Sequence, residues 1–154
     1  MITIYFDGLC EPVNPNGIAA YGYVIYQNGK IIKKGCRVIG EGKGMTNNVA
    51  EYSGLKRALE WLSEQDIDDE ITIKGDSTLA INQMTGVWQI RSETSRRFVP
   101  QIRTLLKGKK VSFVWIPREK NSEADMLSRV AYKRYRRQNC ELPPFSKGGS
   151  SLGG

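Results

Sequence analysis

Apolar and polar residues alternate with a period of two at the start of the chain, with Ile2, Ile4 and Phe6 set against Thr3 and Tyr5 in MITIYFD. That period predicts a strand, and Asp7-Gly8 predicts its end, which places Asp7 where strand meets loop. Beyond the turn-rich GLCEPVNPNG, two β-rich runs, IAAYGYVIYQ and KIIKKGCRVI, flank Asn28-Gly29. That dipeptide is a strong tight-hairpin signal, so three antiparallel strands are expected. The period then changes. GEGKGMTNN predicts a loop, and Asn47 or Asn48 is expected to cap a helix over VAEYSGLKRALEWLSEQ, where Tyr52, Leu55, Leu59 and Leu62 recur at helical spacing. EITIKGD predicts a fourth strand, and Ser77 opens a short helix through Met84. Phe98, Val99, Ile102, Leu105 and Leu106 predict a third helix, with Pro100 expected near its start. KKVSFVWIP predicts the fifth strand. The last helix is expected from about Ser122 to Arg137, with Ala124, Leu127, Ala131 and Tyr135 as its apolar stripe.

This order, β-β-β-α-β-α-α-β-α, predicts an α/β fold built on one five-stranded mixed sheet, three strands antiparallel and two parallel, with helices on its faces. Residues 1–138 are read as one domain, and the Pro-, Gly- and Ser-rich segment 139–154 as a flexible tail.

Composition narrows the chemistry. The chain has 154 residues, 40% hydrophobic and 25% charged, in the ordinary range for a globular protein. No apolar run approaches the roughly 18 residues that span a bilayer. The start of the chain carries no secretory pattern, so a cytoplasmic location and no membrane partner are expected. Cys10, Cys36 and Cys140 show no metal-knuckle spacing and are read as packing residues or inert thiols. Twenty-three Lys and Arg against 16 Asp and Glu make the net charge +7, which favours polyanionic partners. The chain contains no histidine. Ser-His-Asp and Cys-His arrangements and imidazole metal ligands are thereby excluded, so any catalysis falls to carboxylates or a metal.

Four carboxylates stand in unusual places. On a helical wheel Glu51 lies about 40° from Leu55 and about 20° from Ala58 and Leu62, inside the apolar stripe. A desolvated carboxylate is paired with a cation, neutralised, or bound to a metal, and position alone does not choose among these. Asp7 and Asp76 lie at predicted strand ends, where α/β sheets place their sites. Taken singly, Asp7-Gly8 also reads as a turn pair, Asp76 as a solvated carboxylate or helix cap, and Asp125 as a first-turn aspartate complementing the helix dipole. Together, in a basic chain without histidine, they match what Mg²⁺ prefers, a few carboxylate oxygens with retained waters. Two such ions about 4 Å apart can promote phosphodiester cleavage.

The stretches YFDGLCEPVNPNG, TNNVAEYSGLKRALEWL, GDSTLAINQMTGVW and PREKNSEADMLSR, in this order, resemble type 1 ribonuclease H. The resemblance implies a ribonuclease H-like fold and a two-metal endoribonuclease that cuts the RNA strand of RNA/DNA hybrids, leaving 5′-phosphate and 3′-hydroxyl ends. It implies Asp7, Glu51, Asp76 and Asp125 as catalytic metal ligands, Asp7 touching both ions, with Mg²⁺ as cofactor and Mn²⁺ as a substitute. Asn14 and Asn48 match positions that read the RNA minor groove, where 2′-hydroxyls mark RNA. Thr46 and Asn47 match a pocket for a DNA phosphate, and Trp88 a tryptophan lying against the DNA strand. Without the resemblance these would be a turn, a capping loop and a core aromatic. A monomer is expected.

Two departures from the family pattern stand out. Many members carry a histidine in the loop before the last helix, whereas here it reads WIPREKNSEAD, with Arg118 and Glu119 as candidate substitutes. The short link after Trp88 leaves little room for the basic protrusion of some members and supplies Arg91, Arg96 and Arg97 instead. Both features resemble archaeal and some bacterial members, a subset that includes enzymes cutting duplex RNA, which makes duplex RNA a second candidate partner. Two alternatives stay open at this level: a non-catalytic hybrid-binding module, and a DNA-cutting integrase-like or exonuclease-like relative.

Overall fold

The computed structural model describes residues 1–141, with side chains through Gln138. Five strands, β1 (Ile2–Glu11), β2 (Ile18–Gln27), β3 (Lys30–Glu41), β4 (Ile71–Gly75) and β5 (Val111–Trp115), form one sheet in the order β3-β2-β1-β4-β5. β1, β2 and β3 are antiparallel neighbours, and β1, β4 and β5 run parallel. This is the mixed sheet that the alternation predicts. The β2–β3 turn places Asn28 at φ 50° and Gly29 at φ 83°. Positive φ at both central residues gives the twist that suits a two-residue hairpin.

Four α-helices complete the fold: α1 (Asn47–Ser63), α2 (Thr78–Met84), α3 (Glu93–Leu106) and α4 (Ser122–Glu141). Side chains alternate across a strand, so Tyr21 and Tyr23 of β2 face one side and Gly22 the other. The tyrosine side meets α1, where a Cβ on Gly54 would touch Tyr21, and the glycine side lies directly under Ala124, Leu127 and Ser128 of α4. The main core fills the α1 side, from Ile2, Ile4 and Phe6 through Leu55 and Leu59 to Val99 and Ile102 of α3.

Four expectations need correction. β1 does not stop at Asp7-Gly8 but runs on to Glu11, because β2 continues to pair with it to Ile18. The α1 cap is neither Asn47 nor Asn48: the Thr46 hydroxyl accepts from the Val49 N–H at 3.0 Å. α3 begins at Glu93, capped by Ser92, so Pro100 sits inside the helix rather than near its start. Burial of Phe98, Val99 and Ile102 against the core holds α3 together across the missing proline N–H. Finally, α4 runs beyond Arg137 to Glu141. The tail expected over 139–154 lies, past Glu141, outside the described residues. Of the thiols expected to be inert, Cys10 is buried and Cys36 half-buried, both free. No described helix is long and apolar enough to cross a membrane.

Candidate active site

β1 pairs with β4 only from Ile2 to Tyr5, with Tyr5 opposite Lys74. Two further steps of that register bring Asp7 level with Asp76, the residue after β4. The pair thus marks the point where the sheet changes from parallel to antiparallel neighbours, a usual place for a site. Asp7 is therefore a mid-strand residue at a local sheet opening rather than at a strand end.

Close backbone approach brings in the other two carboxylates. A Cβ on Gly8 would lie 2.5 Å from the Glu51 nitrogen, so the bare glycine lets the start of α1 rest on β1. Gly22, opposite Asp7 in register, does the same for α4: a Cβ there would lie 2.3 Å from the Ala124 carbonyl oxygen, next to Asp125. Asp7, Glu51, Asp76 and Asp125 consequently line one cleft of about 450 Å³.

Further side chains hold this arrangement. The Gly8 N–H donates to Asp7 Oδ1 at 2.9 Å. Buried Asn121 donates through Nδ2 to the Phe6 carbonyl at 2.9 Å and to Asp76 Oδ1 at 3.3 Å. Trp115 donates through Nε1 to the Asp76 carbonyl at 3.2 Å. Ser77, not Asp76, caps α2 by accepting from the Ala80 N–H. Arg129 forks between Glu11 at 3.1 Å and Asp125 at 3.4 Å.

Electrostatics in the cleft oppose full ionisation. Burial first, then the Asp76 charge, push the Asp7 carboxyl up to about 8, although the Gly8 N–H pulls it down. Glu51 is likewise pushed up to about 8, mainly by burial, with a hydrogen bond from Ser77 acting against the rise. A divalent cation would relieve both effects at once. Among the described residues no three acidic side chains close on one point as a ready cage. Mg²⁺ does not need one, since it keeps several waters and is bound through one or two carboxylates. The donor set fits such an ion.

The substrate residues expected from sequence are only partly gathered here. Asn14 and Asn47 line the cleft and bond each other, Asn14 Nδ2 donating to Asn47 Oδ1 at 2.8 Å. Thr46 and Asn48 sit at the start of α1 and do not line it, and Trp88 lies apart, 45% exposed, which rules out a core aromatic. Arg118 lines the cleft and Glu119 does not. Sequence reading did not single out Asn121, Arg129, Glu11 or Trp115. Arg129 left one trace, its i,i+4 spacing from Asp125. The contacts of Asn121 and Trp115 join distant segments and leave no local signature.

Residues 5–131 match the family described as reverse transcriptase-like. The chain is 40% identical over 132 residues to ribonuclease HI of Halobacterium salinarum, a match covering 84% of this chain and 63% of that protein. It spans 57% of a second curated relative, from Bacillus subtilis. Among solved structures, RNase H1 from Halobacterium salinarum superposes with a TM-score of 0.77 at 36% identity, covering 86% of this chain and 98% of that one. LC11-RNase H1, solved in complex with RNA/DNA hybrid, reaches a TM-score of 0.80 at 35% identity, with 88% and 99% covered. On its sheet order, the motifs that carry its clustered carboxylates and these matches, the chain belongs to the type 1 ribonuclease H family.

Proposed function

We propose that the protein is an endoribonuclease that hydrolyses the RNA strand of RNA/DNA hybrids, residues 1–138 forming the catalytic domain. One observation carries this reading: four carboxylates from four separate segments of the chain line one cleft, each in its family motif. Asp7, Glu51, Asp76 and Asp125 would hold Mg²⁺, with Mn²⁺ as a substitute. When bound, a pair of such ions supplies an activated water and stabilises the leaving oxygen. The chain's own residues orient these ligands: Asn121 and the Gly8 amide fix the Asp76 and Asp7 carboxylates, and Arg129 restrains Asp125. Asn14 and Asn48 read 2′-hydroxyls in the minor groove, and Thr46 with Asn47 takes a phosphate of the DNA strand. Trp88 lies against that strand, a reading its exposure on a loop supports. The protein acts as a cytoplasmic monomer, with duplex RNA as a candidate second substrate.

A hybrid labelled on both strands, incubated with Mg²⁺, tests the assignment. Only the RNA strand is expected to be cut, with Asp7→Asn and Asp76→Asn abolishing cleavage but not binding. Cleavage of the DNA strand, or undiminished cleavage by either variant, would overturn it. Duplex RNA in a parallel reaction reports the secondary substrate.

A further inference from the structure

Away from the carboxylates, a second cleft of about 330 Å³ opens between β3, α1 and α3. Arg37 comes from β3, Lys56 and Arg57 from α1, and Arg97 from α3, facing a single carboxylate, Glu60. Glu60 does little to neutralise them, since its contacts with Lys56 and Arg57 are exposed and long, at 3.9 and 4.0 Å. Among the described residues neither Arg37 nor Arg97 has an acidic partner. Arg97 stacks 4.5 Å from the Phe98 ring, an arrangement that leaves the edge donors of its guanidinium available.

Edge strands carry cations to discourage pairing, and that accounts for Lys33 and Lys34 of β3. It does not account for cations from two helices converging on the same hollow. The geometry along α1 supplies a reason. At 100° per residue, Ser53 and Arg57 share the azimuth of Thr46 within about 20°. At about 1.5 Å per residue they lie roughly 10 and 16 Å along the helix from it. A nucleic acid strand carries one phosphate per roughly 3.4 Å of duplex axis. A strand leaving Thr46 with its duplex axis along α1 would meet the cleft about three to five phosphates on.

We propose that this cleft is a second phosphate-binding site that grips the DNA strand of the hybrid beyond the start of α1, standing in for the absent basic protrusion. The proposal rests on the hybrid-cleaving reading above. Its test uses the Asp7→Asn protein, expected to bind without cutting, and measures hybrid affinity by fluorescence anisotropy across a salt series. Arg37→Gln with Arg97→Gln is expected to weaken binding and to reduce the slope of log Kd against log salt by about 1.8, at roughly 0.9 per lost phosphate contact. In the otherwise active protein the same pair raises KM and leaves kcat unchanged. Arg37→Lys with Arg97→Lys keeps the charge and therefore the slope. An unchanged slope in the glutamine variant, or an equal loss in the lysine variant, overturns the phosphate site while hybrid cleavage still stands. Failure of the parent Asp7→Asn protein to bind hybrid overturns both.

Discussion

At the scale of single residues, Glu51 shows how far position alone carries. Its place in an apolar stripe is visible on a helical wheel, and the folded chain buries it as expected. What holds it there is not local, because its hydrogen-bond partner Ser77 comes from another part of the chain. The raised Asp7 and Glu51 carboxyls have a consequence for stability. Their ordinary values are 3.8 and 4.5, and burial lifts both to about 8. Without metal, the folded protein therefore retains protons that the unfolded chain releases near pH 4. Their contribution is complete below about pH 4 and is lost as pH rises towards about 8. In chelator, Asp7→Asn should match the wild-type melting temperature near pH 4 and exceed it by a growing margin up to pH 8. The gain is on the order of 2–4 °C for each kcal/mol regained; a constant difference across the range would refute it. Arg129 makes a second case. Arg129→Ala frees the Asp125 carboxylate and is expected to weaken Mg²⁺ binding about tenfold, read from the Mg²⁺-induced rise in melting temperature. Arg118→Ala should lower steady-state turnover while Glu119→Ala leaves it nearly unchanged, since only Arg118 lines the cleft.

Elements were legible where their signal is local. The Asn28-Gly29 hairpin and the period-two strands follow from backbone preference and alternation. Boundaries set by neighbours were not. β1 passes Asp7-Gly8 because β2 supplies ladder partners, and α3 extends four turns around Pro100 because its apolar face is buried. The choice of Thr46 over Asn47 as cap also depends on a distant segment, since Asn47 is engaged by Asn14. A buried set joins three helices: the Tyr52 hydroxyl donates to Gln83 Oε1, and Ser95 donates to the same oxygen at 2.6 Å. No periodicity announces that set. The close seating of α4 on β2 gives a prediction at this scale. Gly22→Ala drives a methyl into the Ala124 carbonyl and should destabilise the fold by about 1–3 kcal/mol. It should also displace Asp125 and lower kcat; a variant with native melting temperature and activity would contradict the packing.

For the whole molecule, the core is built without the proposed metal ligands. The large cluster between the sheet, α1 and α3 is made of apolar side chains packed on one another, from Ile2 and Ile4 to Val99 and Ile102. Chelation should therefore stop cleavage and leave a cooperative thermal transition, checked by circular dichroism with excess chelator; unfolding on chelation would show that the ion holds the fold. Sequence by itself determined the order of elements, the mixed sheet and the four carboxylates, because alternation, helical spacing and motif order are properties of neighbouring residues. Only the tertiary structure decided that those carboxylates share one cleft, that Arg129 and Asn121 restrain two of them, and that cations of β3, α1 and α3 meet in a second hollow. Each of these depends on how closely separated segments approach, and for the carboxylates that distance is set by the bare backbones of Gly8 and Gly22.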